Sequence, residues 1–153
     1  MLLEDAIKEY VYEIQIRNYT SRTIKGYKNN VLRFSQFIKN QWEVTELEEV
    51  SPAHIKQYLN SLKEKGRSPV YINTILKNLR TFFQYCYEEG YCMNIAKKVI
   101  WLKEKRTVIS TFTDIEVKKM LEHWKFSSYL HARNKCIMAV LFDTGIRNFE
   151  LCQ

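Results

Sequence analysis

The chain has 153 residues, of which 46% are hydrophobic, four are glycine and two are proline. This hydrophobic content supports a packed core and argues against wholesale disorder, while the scarcity of turn-forming residues disfavours an all-β fold. The net charge of +7 favours an anionic partner, either nucleic acid or an anionic membrane surface, although a charge that only serves solubility would also explain it.

The first two predicted helices differ in their charge. Hydrophobic side chains at three- and four-residue steps predict a first helix over residues 3–17, and the N-cap pair Thr20-Ser21 opens a second helix that extends to about residue 40. No acidic residue occurs between Glu13 and Glu43, a range that contains six basic ones. Because a solvated helix face ordinarily mixes both signs, this segment is predicted to contact phosphate, with a plain solvated face as the alternative.

Two Ser-Pro pairs mark the starts of two further helices. Ser51-Pro52 opens a predicted third helix that ends at Gly66, and Ser68-Pro69 opens a fourth that extends to about residue 89. Residues 65–87 again contain basic side chains but no acidic one. The front of the chain is therefore predicted to be a four-helix unit with two basic faces.

The rest of the chain follows a different pattern. A basic, weakly periodic stretch over residues 97–106 is predicted to be a linker. Thr113 and Glu116 then form a capping-box pattern that opens a helix, and a hydrophobic helix follows over about residues 129–144, ended by Gly145. The pattern of the next helix is unfinished at the last residue, so we expect the sequence to be a piece of a longer protein.

Cysteines and histidines give no sign of a metal site. The four cysteines include no Cys-x-x-Cys pair, and the three histidines have no ligand-like partner one helical turn away. Without a signal peptide we expect mostly buried free thiols in the reducing cytoplasm of a bacterial cell, in a protein encoded by that cell, a phage or another mobile element. No hydrophobic run approaches the roughly 18 residues of a membrane span, so no membrane partner is expected.

One arginine follows a glycine turn near the end of the chain. In the stretch from Thr144 to Leu151, Gly145 ends a helix and Arg147 stands at the start of the next one. Helix N-terminal amides and a guanidinium group together form an anion site, which predicts phosphate binding. An ordinary helical ion pair between Arg147 and Glu150 is the alternative.

The same stretch resembles the Thr-Gly-Leu-Arg-x-x-Glu-Leu box of the tyrosine recombinases, the phage-type integrases, where it carries the first catalytic arginine. The front of the chain resembles the core-binding domain of that family, and the helix opened by Phe112-Thr113 follows at the spacing of an integrase. The resemblance covers about residues 5–153. Its matching segments at the front are Thr20 to Phe34, Val50 to Leu59, Lys65 to Phe83 and Glu89 to Asn94.

The resemblance implies an all-α protein in three parts. Residues 1–96 would be a four-helix, SAM-like core-binding domain, residues 97–111 a basic linker, and residues 112–153 the helical start of a catalytic domain. Members of the family integrate or excise mobile elements by cutting and rejoining DNA through a phosphotyrosine intermediate, and they use no metal or nucleotide cofactor. Arg147 matches their first catalytic arginine, and Glu150 would support it. None of the ten tyrosines matches the nucleophile, so this chain alone is predicted to bind DNA without cleaving it.

The implied partners are double-stranded DNA and, for the full-length protein, other recombinase protomers in a synaptic tetramer. Most contacts are expected to reach phosphates, and Asn73 or Lys77 is expected to touch base edges. The predicted DNA-binding residues lie in the second helix, in the fourth helix and in the linker: Arg22, Lys25, Lys28, Arg67, Ser68, Tyr71, Asn73, Lys77, Arg80, Lys103, Lys105 and Arg106.

Two other functions fit the residues alone. A non-catalytic helical DNA-binding regulator, such as a repressor or an excision factor, would have the same basic faces. A helical protein-interaction module would use those faces to bind an acidic partner. A coding sequence that continued beyond Gln153 would speak against the regulator, and competition with DNA in a pull-down would identify the interaction module.

Overall fold

Helices make up nearly all of the regular structure. The computed structural model describes residues 1–105, 108 and 110–153. Within these ranges it has no extended strand, only an isolated bridge between Leu2 and Glu46. The predicted all-α fold is confirmed. The α-helices of these ranges are α1 (Leu3–Ile16), α2 (Ser21–Trp42), α3 (Pro52–Glu64), α4 (Pro69–Glu88), α5 (Asp114–His123), α6 (Tyr129–Thr144) and α7 (Asn148–Leu151).

Side-chain caps fix where the helices begin. The hydroxyls of Thr20, Ser68 and Thr113 each accept the backbone N–H three residues further on, at 3.3 Å. At the start of α3 the cap is a histidine side chain, because Nδ1 of His54 accepts the N–H of Ser51 at 3.2 Å. Each bond satisfies a donor that helix geometry leaves without a partner, which explains why the starts agree with the sequence pattern.

Helix α2 is two residues longer than its pattern predicts. It ends at Trp42, and Glu43 takes the left-handed conformation with φ of 56°. The Trp42 ring stacks on His54 of α3 at 5.1 Å between ring centroids and lies edge-on to Phe37 at 5.7 Å. This contact between helices holds the last turn in place.

Helix α4 is the centre of the first compact unit. It contacts α1, α2 and α3, and it also contacts the short 3-10 turn Ile95–Lys98. Its inward stripe is buried, as the hydrophobic pattern predicted, and consists of Ile72, Ile75, Leu76, Leu79, Phe82, Phe83 and Cys86. Helices α1, α2 and α3 therefore pack around α4 and leave a strip of its surface exposed to solvent.

The chain divides into two compact units, residues 1–105 and residues 106–153. The division lies inside the predicted linker, and the predicted three-part domain assignment stays a prediction. In the second unit α5 contacts α6, and neither helix has a fully buried residue.

The thiols differ from the expectation that most are buried. Of the four cysteines only Cys86 is buried, while Cys92 is half-buried and Cys136 and Cys152 are exposed. All four are free. None of the described helices combines the length and the hydrophobicity needed to cross a membrane.

Candidate nucleic-acid interface

Helix α2 presents cations that have no acidic partner. Arg22, Lys25 and Lys28 are exposed, and no carboxylate of the described residues lies within salt-bridge distance of them. By contrast, Arg17 pairs with Glu13 at 2.7 Å and Lys39 pairs with a glutamate of α1 at 3.5 Å. The first half of α2 therefore keeps its positive charge free for an external anion.

The N-terminus of α4 presents a second group of exposed donors, after those of α2. The Arg67 guanidinium lies over the Tyr71 ring, 5.7 Å from its centroid, and both side chains are exposed. The Ser68 oxygen caps the helix by accepting the Tyr71 N–H at 3.3 Å, which leaves its O–H free to donate. One helix end thus carries three donors: the Arg67 guanidinium, the Ser68 hydroxyl and the Tyr71 phenol.

Two predicted DNA contacts of α4 instead form hydrogen bonds with other residues of this chain. Asn73 is only 8% exposed, and its carboxamide is hydrogen-bonded to Leu102 and Glu104. The Arg80 guanidinium donates to the carbonyl of Val99 and stacks over the Trp101 ring at 4.5 Å. In this arrangement Asn73 has no free donor for a base edge, because both of its N–H groups are used.

The remaining predicted cations of the first unit are accessible. Lys77 lies on the outer side of α4, and Lys103 and Lys105 are exposed further along the chain. Arg106, the last predicted contact, lies outside the described residues. Sequence reasoning missed Trp101, whose indole is 45% exposed and supports Arg80. An aromatic residue inside a basic linker was the available signal.

Arg147 lies where the sequence pattern placed it, one residue before α7. Gly145 ends α6 in the left-handed conformation with φ of 63°. The Arg147 side chain is 85% exposed, and its guanidinium pairs with Glu150 at 3.3 Å. The other Glu150 oxygen accepts the Arg147 backbone N–H at 2.9 Å. The ion pair engages one nitrogen of the guanidinium, so most of its donors face solvent.

The described residues contain no cluster of three or more potential metal ligands. Two tyrosines bury their rings, Tyr10 at 1% and Tyr58 at 5% exposure. Burial raises the pKa of Tyr58 to about 12, and it raises the pKa of Tyr10 further. Their environment therefore stabilises the protonated phenol, which is the unreactive form.

Comparison with known proteins agrees with this architecture. Residues 6–92 match the family described as phage integrase, N-terminal SAM-like domain. A tyrosine recombinase XerC of Thermodesulfovibrio yellowstonii is 32% identical over 134 residues, which are 87% of this chain and 43% of that protein. A tyrosine recombinase XerD of Oceanobacillus iheyensis is 28% identical over 152 residues, which are 98% of this chain and 51% of that protein. The chain thus spans about half the length of these relatives.

The fold has a counterpart among solved structures. The crystal structure of a lambda integrase dimer bound to a COC′ core site matches with a TM-score of 0.63 at 20% identity, covering 84% of this chain and 45% of that one. At this identity the match concerns the fold alone. The family match covers more than half of the chain and includes α2 and α4, the two helices that carry predicted DNA contacts. This chain therefore belongs to the phage integrase family of tyrosine recombinases, with residues 6–92 as its N-terminal SAM-like domain.

Proposed function

We propose that this chain is the DNA-binding part of a site-specific tyrosine recombinase, and that the longer protein cuts and rejoins double-stranded DNA to integrate or excise a mobile element. One observation carries the proposal. The predicted cations of α2, namely Arg22, Lys25 and Lys28, are exposed and unpaired in the part of the chain that the structure describes. An array of free cations on rigid helices is suited to a phosphate backbone.

The number of free cations sets the expected strength of the salt effect. Besides the three on α2, four more predicted contact cations are exposed: Arg67, Lys77, Lys103 and Lys105. If about six of them neutralise phosphates, affinity should fall about a thousandfold between roughly 50 mM and 200 mM salt, because condensed counterions are released on binding. An acidic protein partner carries no condensed layer of counterions, so its affinity for this chain should depend less on salt.

A titration of this chain into a fluorescent DNA duplex of mixed sequence tests DNA binding. Removing two α2 cations, R22A with K25A, should weaken binding about tenfold or more and lower the slope of log affinity against log salt by about 2. The charge-matched control removes two cations that already have acidic partners, R17A with K39A, and should cost much less affinity. A salt-insensitive affinity, or equal losses for both pairs, would refute the proposed interface.

For the chemical step we propose Arg147 as a catalytic residue of the longer protein. In the reaction a tyrosine hydroxyl attacks a backbone phosphorus, a phosphotyrosyl bond forms, the bond to the 5′ oxygen breaks, and the leaving oxygen takes a proton. The negative charge gathers on the non-bridging oxygens, where the exposed donors of Arg147 would stabilise it. Glu150 would orient the guanidinium through the 3.3 Å ion pair. No cofactor or metal takes part in this scheme.

The nucleophilic tyrosine is proposed to lie outside these 153 residues. This chain should therefore bind a nicked duplex without forming a covalent adduct, as judged by denaturing gel electrophoresis. In the longer protein R147A should abolish the adduct while keeping DNA affinity, and E150Q should reduce the adduct less severely. An adduct formed by this chain alone would refute the proposal, as would an active R147A protein. We also propose that the longer protein acts with other protomers, in a synaptic tetramer.

A further inference from the structure

Residues 99–105, which we call the connector, are the last residues of the first compact unit, and they lie against α4. Building on the proposed DNA binding, we propose that Asn73 and Arg80 are positioning residues that latch the connector to α4 and so set where Lys103 and Lys105 meet the DNA backbone. The sequence-based assignment of Asn73 and Arg80 as direct DNA contacts is replaced by this role.

Asn73 holds the connector as a neighbouring strand would. Its Oδ1 accepts the Leu102 N–H at 2.9 Å, and its Nδ2 donates to the Leu102 carbonyl at 2.9 Å. The same Nδ2 donates its second hydrogen to the Glu104 carboxylate at 2.6 Å. A carboxamide that binds both the N–H and the C=O of one residue fixes the register of that residue, as a hydrogen-bonded pair does in an antiparallel β-sheet. Because Asn73 is 8% exposed, water competes poorly for these bonds.

Arg80 holds the other end of the connector. Its guanidinium donates to the carbonyl of Val99, a residue that is 3% exposed, and lies over Trp101 at 4.5 Å. A planar guanidinium can make both contacts at once, whereas a lysine ammonium lacks the flat surface needed to stack. The connector is thus fixed to α4 at two separate points.

The two attachment points give the connector a direction. Arg80 binds Val99, whereas Asn73, which comes earlier in α4, binds the later residue Leu102. The connector therefore runs antiparallel to α4. Seven helical residues rise about 10 Å, and three extended residues span about 10 Å, so the two lengths agree. The latch consequently directs the chain toward the start of α4, where Arg67 presents its charge.

This direction brings the connector lysines toward the other predicted contacts. Leu102 is half-buried, whereas Lys103 and Lys105 are exposed, so the anchored residue faces the protein and the lysines face solvent. Without the latch, both lysines would have to be ordered when DNA binds, which lowers affinity. Asn73 and Arg80 would thus strengthen DNA binding without touching DNA.

Asn73→Ala tests the latch in this chain, with Asn78→Ala as its matched control. Asn78 lies in the same helix, is also 8% exposed, and makes no side-chain hydrogen bond to the connector in the described residues. Hydrogen exchange followed by mass spectrometry or NMR should show faster exchange at the Leu102 amide in N73A but not in N78A. Unchanged exchange in N73A, or the same increase in both variants, would overturn the latch.

A double-mutant cycle with the lysine pair K103A and K105A tests the consequence for DNA. With the latch intact, we expect the lysine pair to cost about tenfold in affinity for the fluorescent duplex and to lower the salt slope by about 2. In the N73A background the same pair should cost less than about threefold, because the lysines are no longer held in place. Equal costs in both backgrounds would overturn the positioning role.

The design separates this inference from the proposed function. If DNA binding itself were absent, R22A with K25A would also have no effect, while the exchange at Leu102 would still report on the latch. If N73A does not fold, as judged by circular dichroism, R80K takes its place, since it keeps the charge but loses the stacking on Trp101. R80K should then accelerate exchange in residues 99–102, and an unchanged rate would count against the latch.

Discussion

The Tyr10 hydroxyl provides a sharp test of the packing in the first unit. Tyr10 is 1% exposed and lies among aromatic rings, with centroid distances of 5.4 Å to Phe82, 5.5 Å to Tyr85 and 6.3 Å to Tyr27. Its hydroxyl oxygen is buried and has no hydrogen-bond partner among the described residues. Burial also raises the pKa of this phenol well above its ordinary value of 10.0, as expected for a group removed from water.

Replacing Tyr10 by phenylalanine should stabilise the protein. The substitution keeps the ring and its edge contacts, and it removes a hydroxyl whose burial without a partner costs about 1–3 kcal/mol. Allowing for the small space that the oxygen leaves, we expect the free energy of unfolding to rise by about 1 kcal/mol, or the Tm by about 4 °C. Urea and thermal unfolding followed by circular dichroism measure both quantities.

The matched control removes a phenol oxygen that does have a partner. The Tyr91 hydroxyl donates to the Glu9 carboxylate at 2.6 Å and joins two segments that are distant in sequence. Tyr91→Phe should therefore lower the free energy of unfolding, so the same chemical change acts with opposite sign at the two positions. A destabilised Y10F variant would show that the Tyr10 hydroxyl is hydrogen-bonded after all, and the reasoning would fail.

Three further predictions concern the backbone, the core and pH. Gly26→Ala, in the second turn of α2, should stabilise the protein by about 0.5–1 kcal/mol, because a Cβ meets nothing within 4 Å there. Gly90→Ala should destabilise it by about 1 kcal/mol, because the φ of Gly90 is 76°. Two-state urea unfolding measures both changes, and equal signs would contradict the argument. Phe83→Ala should cost about 3–5 kcal/mol, since the ring is completely buried, and a loss below about 1 kcal/mol in the same assay would mean that Phe83 is not part of the core. The pKa of Glu116 lies below its ordinary value of 4.5, because the backbone N–H and then the hydroxyl of Thr113 donate to its carboxylate. This cap therefore stabilises α5 fully above about pH 4.5 and is lost as the pH falls through the lower folded pKa, so hydrogen exchange in the first turn of α5, corrected for intrinsic rates, should accelerate at acid pH in the wild type but not in E116Q.

Local signals in the sequence were sufficient for the positions of the helices. The Ser-Pro pairs, the Thr20 cap and the Thr113 capping box each act within three or four residues, and all of them open helices where predicted. Hydrophobic periodicity likewise identified the buried stripe of α4. The end of α2 was predicted less well, because the contact of Trp42 with His54 joins two helices and leaves no mark on the local pattern.

The runs of basic residues predicted which cations are exposed, but not which of them bind other residues of the same chain. The absence of acidic residues between Glu13 and Glu43 correctly indicated free cations on the first half of α2. The same argument grouped Arg80 with them, although its guanidinium binds a carbonyl 19 residues further along the chain. A count of charges cannot distinguish these cases, since a backbone carbonyl is invisible in a list of acidic residues.

Asn73 shows why the distinction matters for function. A polar side chain at the edge of a basic helix suggests contact with a base, and asparagine is well suited to that contact. The same carboxamide also matches the backbone N–H and C=O of one residue, and Leu102 offers both at 2.9 Å. The backbone N–H and C=O of half-buried Leu102 are not paired in a helix or sheet, and Asn73 satisfies both, whereas DNA is present only part of the time. This permanent backbone contact accounts for the position of Asn73, and in our proposal the lysines that follow Leu102 are the residues that meet the DNA.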